Sequence, residues 1–203
     1  MNNYEKMLSD ACRRFATYDM SALAIRPGVE DHGVYLKTVF LGEDVTLHKE
    51  SGAVTVGGRK ADFGETLSVL DWLCDGKSDA AAAKEYCTVS SLPGIYVGGS
   101  GLSISGGVLA KQIEASPQTF HAACAAMGGK TVALGDIGYE IPIFPNLSAR
   151  LKFYHGDEEF SPQLTFLWDR NILQFVRYET VYYIAGCLRK SLQLRISSPL
   201  GSI

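Results

Sequence analysis

The sequence predicts an α+β protein in which antiparallel strand meanders pack against several helices in a single domain. Three observations predict it. Short β-rich runs joined by tight turns follow one another between residues 34 and 56; apolar stripes at helical spacing mark both ends of the chain; and strands do not alternate strictly with helices, as a parallel sheet would require. With 203 residues, 46% of them apolar and 20% charged, the chain is long enough to bury one core and lies far from the composition of disordered segments. Residues 1–203 are therefore expected to form one α+β domain.

The first element is a helix. Tyr4, Met7, Leu8, Ala11, Cys12 and Phe15 recur at i, i+3, i+4, i+7, i+8 and i+11, a stripe that faces a core. Arg26-Pro27-Gly28 punctuates the chain, after which residues 34–41, 45–48 and 53–56 read as strands separated by Gly42-Glu43-Asp44 and Ser51-Gly52. Asp62 and Glu65 have the spacing of a capping box before an apolar run, which predicts a buried helix over 63–74 that stops near Gly76. Residues 85–89 read as a lone strand and 108–114 as a modest helix. Ser116-Pro117 opens the next helix, with Phe120, Ala123, Cys124 and Met127 on its inner face and Gly128-Gly129 at its end. Strands are expected at 131–134, 139–143, 149–155 and 164–168, the last two flanking a loop at 156–162. A long helix over 171–191 closes the domain, and 192–203 reads as a frayed tail in which Leu192, Leu194 and Ile196 alternate as in an edge strand.

Composition excludes several classes. Net charge is −3 and the basic doublets Arg13-Arg14, Arg59-Lys60 and Arg189-Lys190 are scattered, which argues against a nucleic-acid partner. The five cysteines form no CxxC pair, so they read as small buried hydrophobes in a reducing compartment, and neither a metal nor a cofactor is expected. No secretory h-region opens the chain, and the apolar stretch 181–188 falls far short of the ~20 residues a bilayer demands. A cytoplasmic protein with no membrane partner is the expectation.

Few residues offer chemistry. The segment 98–107 is rich in glycine and precedes a helix, but it lacks the Lys-Ser/Thr of a Walker loop and the third glycine of a dinucleotide fingerprint, so it reads as a surface loop. His32, His48 and His121 stand alone, and no serine or cysteine sits in a nucleophile signature. Tyr178, Tyr182 and Tyr183 read as packing residues of the last helix. The best candidate is His155-Gly156-Asp157-Glu158-Glu159. In extended backbone, residues 155, 157 and 159 project to one side, where an imidazole and two carboxylates can meet a divalent cation or act as an acid/base pair; as a hairpin tip, the same carboxylates cap backbone N–H groups.

The chain also resembles a bacterial and archaeal family, domain-of-unknown-function family 3786. The resemblance is carried by Val39-Phe40-Leu41-Gly42, Leu67-Ser68-Val69-Leu70-Asp71-Trp72-Leu73, Ser91-Leu92-Pro93-Gly94, Ala126-Met127-Gly128-Gly129 and Tyr178-Glu179. Its most specific block is Gly156-Asp157-Glu158-Glu159-Phe160-Ser161-Pro162 with Phe166-Leu167-Trp168-Asp169. The resemblance implies no assigned activity. It places Asp157, Glu158, Glu159 and Asp169 in family-like positions, and fusion of relatives to an iron–sulfur module in anaerobes implies an accessory role near redox or one-carbon metabolism. Two functions are open at this point: a non-enzymatic module that docks a small molecule or partner protein between the last hairpin and its flanking helices, and a metal-dependent or general acid/base enzyme using His155, Asp157 and Glu159.

Overall fold

The structure, a computed structural model, describes residues 3–94 and 107–197. Most of the glycine-rich segment, and the final residues of the expected tail, lie outside them. Among the described residues the fold comprises two five-stranded antiparallel sheets and six helices, as the α+β expectation required.

The first sheet is a pure meander of β1 (Glu30–His32), β2 (Tyr35–Phe40), β3 (Glu43–His48), β4 (Val54–Val56) and β5 (Arg59–Lys60). Between β2 and β3 the turn falls on Leu41-Gly42, one residue earlier than the sequence suggested, because Phe40 pairs with Glu43. Both turn residues are left-handed, with φ of 51° and 79°, the hairpin geometry that matches strand twist. Leu41 tolerates this because it is buried and donates its N–H to Ile143 O at 3.0 Å, bridging to the second sheet. Gly42 has no alternative: a Cβ there would lie 3.0 Å from the Met127 backbone.

In the second sheet β6 (Tyr86–Cys87), β10 (Gln163–Asp169), β9 (Leu147–Tyr154), β8 (Ile137–Phe144) and β7 (Lys130–Thr131) are neighbours in that order. Along β9, Leu147, Ala149, Leu151 and Phe153 are buried and their neighbours are not, the alternation of a sheet with one covered face. Pro142 interrupts β8 at a register shift, the kind of position where a strand accommodates proline.

The helices are α1 (Asn3–Phe15), α2 (Met20–Ala24), α3 (Phe63–Asp75), α4 (Gly107–Ala115), α5 (Pro117–Ala126) and α6 (Tyr178–Ser197). At α3 the capping box is complete: Asp62 Oδ1 accepts the Glu65 N–H at 3.0 Å, and Glu65 Oε2 accepts the Asp62 N–H at 2.8 Å. Every side chain from Glu65 to Cys74 is buried, since α6, α1 and the first sheet cover α3 from several sides. Trp72 stacks on Phe144 at 4.4 Å between centroids, and Phe144 lies 4.9 Å from Phe40, so one aromatic column joins α3 to both sheets. The buried residues accordingly form one continuous cluster.

The strands expected at 85–89 and 131–134 shorten to 86–87 and 130–131, and both ends of the last helix differ from expectation. The last helix begins at Tyr178 rather than 171, because Asp169 takes the Asn171 N–H and residues 172–174 form a 3-10 turn that buries Ile172. It then continues to Ser197 through the supposed tail. Leu192 and Ile196 are buried and Leu194 is 57% exposed, so the apparent alternation is an i, i+4 helical pair with an outward neighbour. Among the described residues, no helix is long and apolar enough to cross a membrane.

Candidate functional site

The acidic stretch forms the loop between β9 and β10, and its Asp157 carboxylate is spent on the loop itself. Asp157 Oδ1 accepts the N–H groups of Glu159 and Phe160 at 2.8 and 2.7 Å, while the Asp157 N–H donates to Phe160 O at 2.9 Å. That is an aspartate-closed turn. His155 looks elsewhere: its N–H donates to Asp136 and its Nδ1 lies 2.9 Å from Glu114 Oε2 at the end of α4. Glu158 and Glu159 are exposed. Among the described residues, no group of three or more His, Cys, Asp or Glu side chains is placed to hold a metal ion.

Asp169, the fifth residue singled out from the sequence, is fully buried at the end of β10. Its Oδ1 accepts the Ala83 and Asn171 N–H groups at 3.0 and 2.8 Å, and its Oδ2 accepts that of Lys84 at 2.7 Å. Those bonds tie the 77–87 connection, including the left-handed Lys84, to the second sheet. Tyr178 and Tyr182 pair through their hydroxyls at 2.6 Å with rings edge to face. His121 bonds the Tyr139 hydroxyl, and His48 caps the Ser51 turn.

A more chemically loaded region lies where α1, α3 and the start of α6 meet. They enclose a cleft of about 330 Å3 whose floor is Asp71, buried on α3. Arg14 reaches from α1 to Asp71 Oδ1 at 2.5 Å, and the buried Thr180 hydroxyl donates to Asp71 Oδ2 at 2.5 Å. One helical turn on, Asp75 Oδ2 lies 3.2 Å from Arg14 and 3.0 Å from Arg177 Nε. Two carboxylates and two guanidiniums are thus interleaved, with Arg14, Asp71 and Arg177 lining the cleft and Asp75 behind its lining. The set is under-satisfied: Arg14 Nε and Asp75 Oδ2 are buried without an aligned hydrogen bond. Met7, Leu67 and Tyr183 supply its apolar walls, with Phe63 and Tyr4 stacked edge to face behind Tyr183. A larger hollow of about 470 Å3 over β1–β3 lacks a buried polar floor.

Burial, reinforced by the neighbouring Asp71, holds the Asp75 carboxyl above its ordinary value despite the two arginines. The folded chain therefore binds this proton more tightly than the unfolded chain does. As pH falls from neutrality to about 4, the group adds stability, opposite in sign to Asp62 and Glu65. In those two, burial alone would raise the pKa, but backbone and cationic partners outweigh it and lower it. Replacing Asp75 with Asn is expected to be least harmful near pH 7 and to lose ground to wild type progressively toward pH 4, read from urea midpoints across that range. A pH-independent difference contradicts this assignment.

The cleft was not singled out from the sequence, yet a signal was there. Asp71 interrupts the mostly apolar run from Leu67 to Cys74, and Asp75 follows at i+4, where like charges repel unless partners from elsewhere hold them. The partners, Arg14 and Arg177, are 57 and 102 residues distant along the chain from those acids, and no local pattern announces them.

In comparison with known proteins, the model of a domain of unknown function, DUF3786, matches residues 19–191. It includes α3 and most of α6, whereas α1, which supplies Arg14 and Met7, precedes it. No curated protein and no solved structure matches the chain.

Proposed function

The chain belongs to the DUF3786 family, and on that premise we propose that it is a non-enzymatic binding module whose small-molecule site is the cleft between α1, α3 and α6. One observation carries the reading: a concave site of ligand size whose lining holds the buried Asp71 carboxylate, the part-buried Arg14 with its Nε unbonded, and the exposed Arg177 guanidinium. Buried polar atoms left without aligned partners are rare, and a polar ligand beside them supplies what the fold does not. This places the site away from the crevice beside the last hairpin.

An intracellular setting is part of the reading, supported by five unbridged cysteines. The redox association implied by resemblance gains nothing from them. Burial raises every thiol, Cys74 and Cys187 to about 12, so none is a ready thiolate.

The test is a thermal-shift panel of metabolites and divalent metals on wild type, Arg177→Gln and Asp157→Ala/Glu159→Ala. A compound at 100 times its Kd is expected to add about 2.7 kcal/mol, retained in the loop double variant and lost in Arg177→Gln. A metal whose stabilisation disappears in the loop variant instead supports the acid/base enzyme built on His155, Asp157 and Glu159 and overturns the cleft reading. Stabilisation by no compound also counts against it.

A further inference from the structure

Building on the cleft reading, we infer that the cleft selects a small zwitterion of the free amino-acid class, its carboxylate held by the Arg177 guanidinium and its ammonium by Glu179. The inference comes from which valences the fold leaves open. Arg177 uses only Nε, on Asp75, and its terminal N–H groups have no other partner among the described residues. Its side chain is 54% exposed, so that planar fork is available to a carboxylate, whose two oxygens it matches. Glu179 lines the same cleft, and among the described residues it has no hydrogen-bond or ion-pair partner.

The other charges at the base are largely engaged with one another: Arg14 pairs with Asp71 and Asp75, leaving its Nε unbonded. Asp71 has both oxygens occupied, by Arg14 and by Thr180. A ligand with one charge therefore meets one open group of matching sign and one of opposing sign, whereas a ligand carrying both charges satisfies the pair. Tyr183 adds to the preference for an ammonium at the Glu179 side, because an aromatic face attracts a cation. Met7 and Leu67 leave an apolar wall for a side chain, and about 330 Å3 holds an amino acid but not a folded partner.

The experiment screens the twenty common amino acids by thermal shift and by chemical-shift mapping on the full chain. For each that binds, the amine lacking the carboxylate and the acid lacking the ammonium are then titrated. The expected result is perturbation of Met7, Thr180 and Tyr183 signals, with each half-ligand weaker by about tenfold or more. Arg177→Gln is expected to reduce the amino acid to the level of its amine, and Glu179→Gln to the level of its des-amino acid. An amine that binds as well as its parent overturns the zwitterion assignment, as does a cleft that binds other metabolites and no amino acid; both leave the cleft reading standing. Ligands that perturb only residues outside the cleft overturn both.

Discussion

Replacing Asp169 with alanine is expected to lower the free energy of unfolding by about 3–5 kcal/mol, the largest loss foreseen for a polar residue in this chain. The carboxylate is fully buried and accepts three backbone N–H bonds between 2.7 and 3.0 Å. Bonds to a charged acceptor are worth more than neutral ones, and truncation removes the acceptor of three backbone donors at once. Lys84, left-handed at φ 57°, also loses the contact that holds it there. Asparagine is not a rescue, since its amide presents N–H groups where only acceptors fit. Urea denaturation measures the loss, and hydrogen exchange at the Ala83, Lys84 and Asn171 amides localises it. A loss under about 1 kcal/mol would show that the 77–87 connection is held by something else.

That residue illustrates what the sequence can and cannot announce. The resemblance pointed at Asp169, but nothing in its neighbourhood says that its donors come from residues 83 and 84. Elements governed by local chemistry were legible: the capping box of α3, the meander of the first sheet and the helix α1 appear at or near their expected positions, although of the α1 stripe only Ala11 and Phe15 are buried and Tyr4 is exposed. Elements governed by tertiary pairing were not. β1 and β5 are short and exposed, carry charged residues, and exist because β2 and β4 offer them open edges. The continuation of α6 through Leu192 and Ile196 depends on a buried surface that an alternating triplet cannot reveal. The same division holds for the site. The acidic loop stood out because its residues are consecutive, whereas Arg14, Asp71, Asp75 and Arg177 are gathered from two helices and the residue that precedes a third.

Asp71→Ala is expected to cost about 3 kcal/mol, and its dependence on Arg14 and Thr180 shows whether the cleft floor is one coupled unit. Removing the carboxylate leaves the Thr180 hydroxyl fully buried without its acceptor and Arg14 with Asp75 alone. Arg14→Met by itself strands Asp71 as a buried charge with only the Thr180 bond, which predicts a loss of similar size. The combination Arg14→Met/Asp71→Leu/Thr180→Val behaves differently: Asp71 and both of its polar partners are replaced by apolar groups of comparable size, and Asp75 keeps Arg177. Its loss is expected to fall well below the sum of the single losses, with coupling energies of about 0.5–3 kcal/mol in the underlying cycles. Additive losses would mean that the three side chains act independently. Substituting Asp71 also removes one of the influences that raise Asp75, so Asp71→Ala is expected to flatten the acid-side gain that Asp75 contributes. A floor that is costly to break piecemeal and nearly neutral to replace whole is kept for what it holds rather than for stability, and the ligand titrations test that alternative directly.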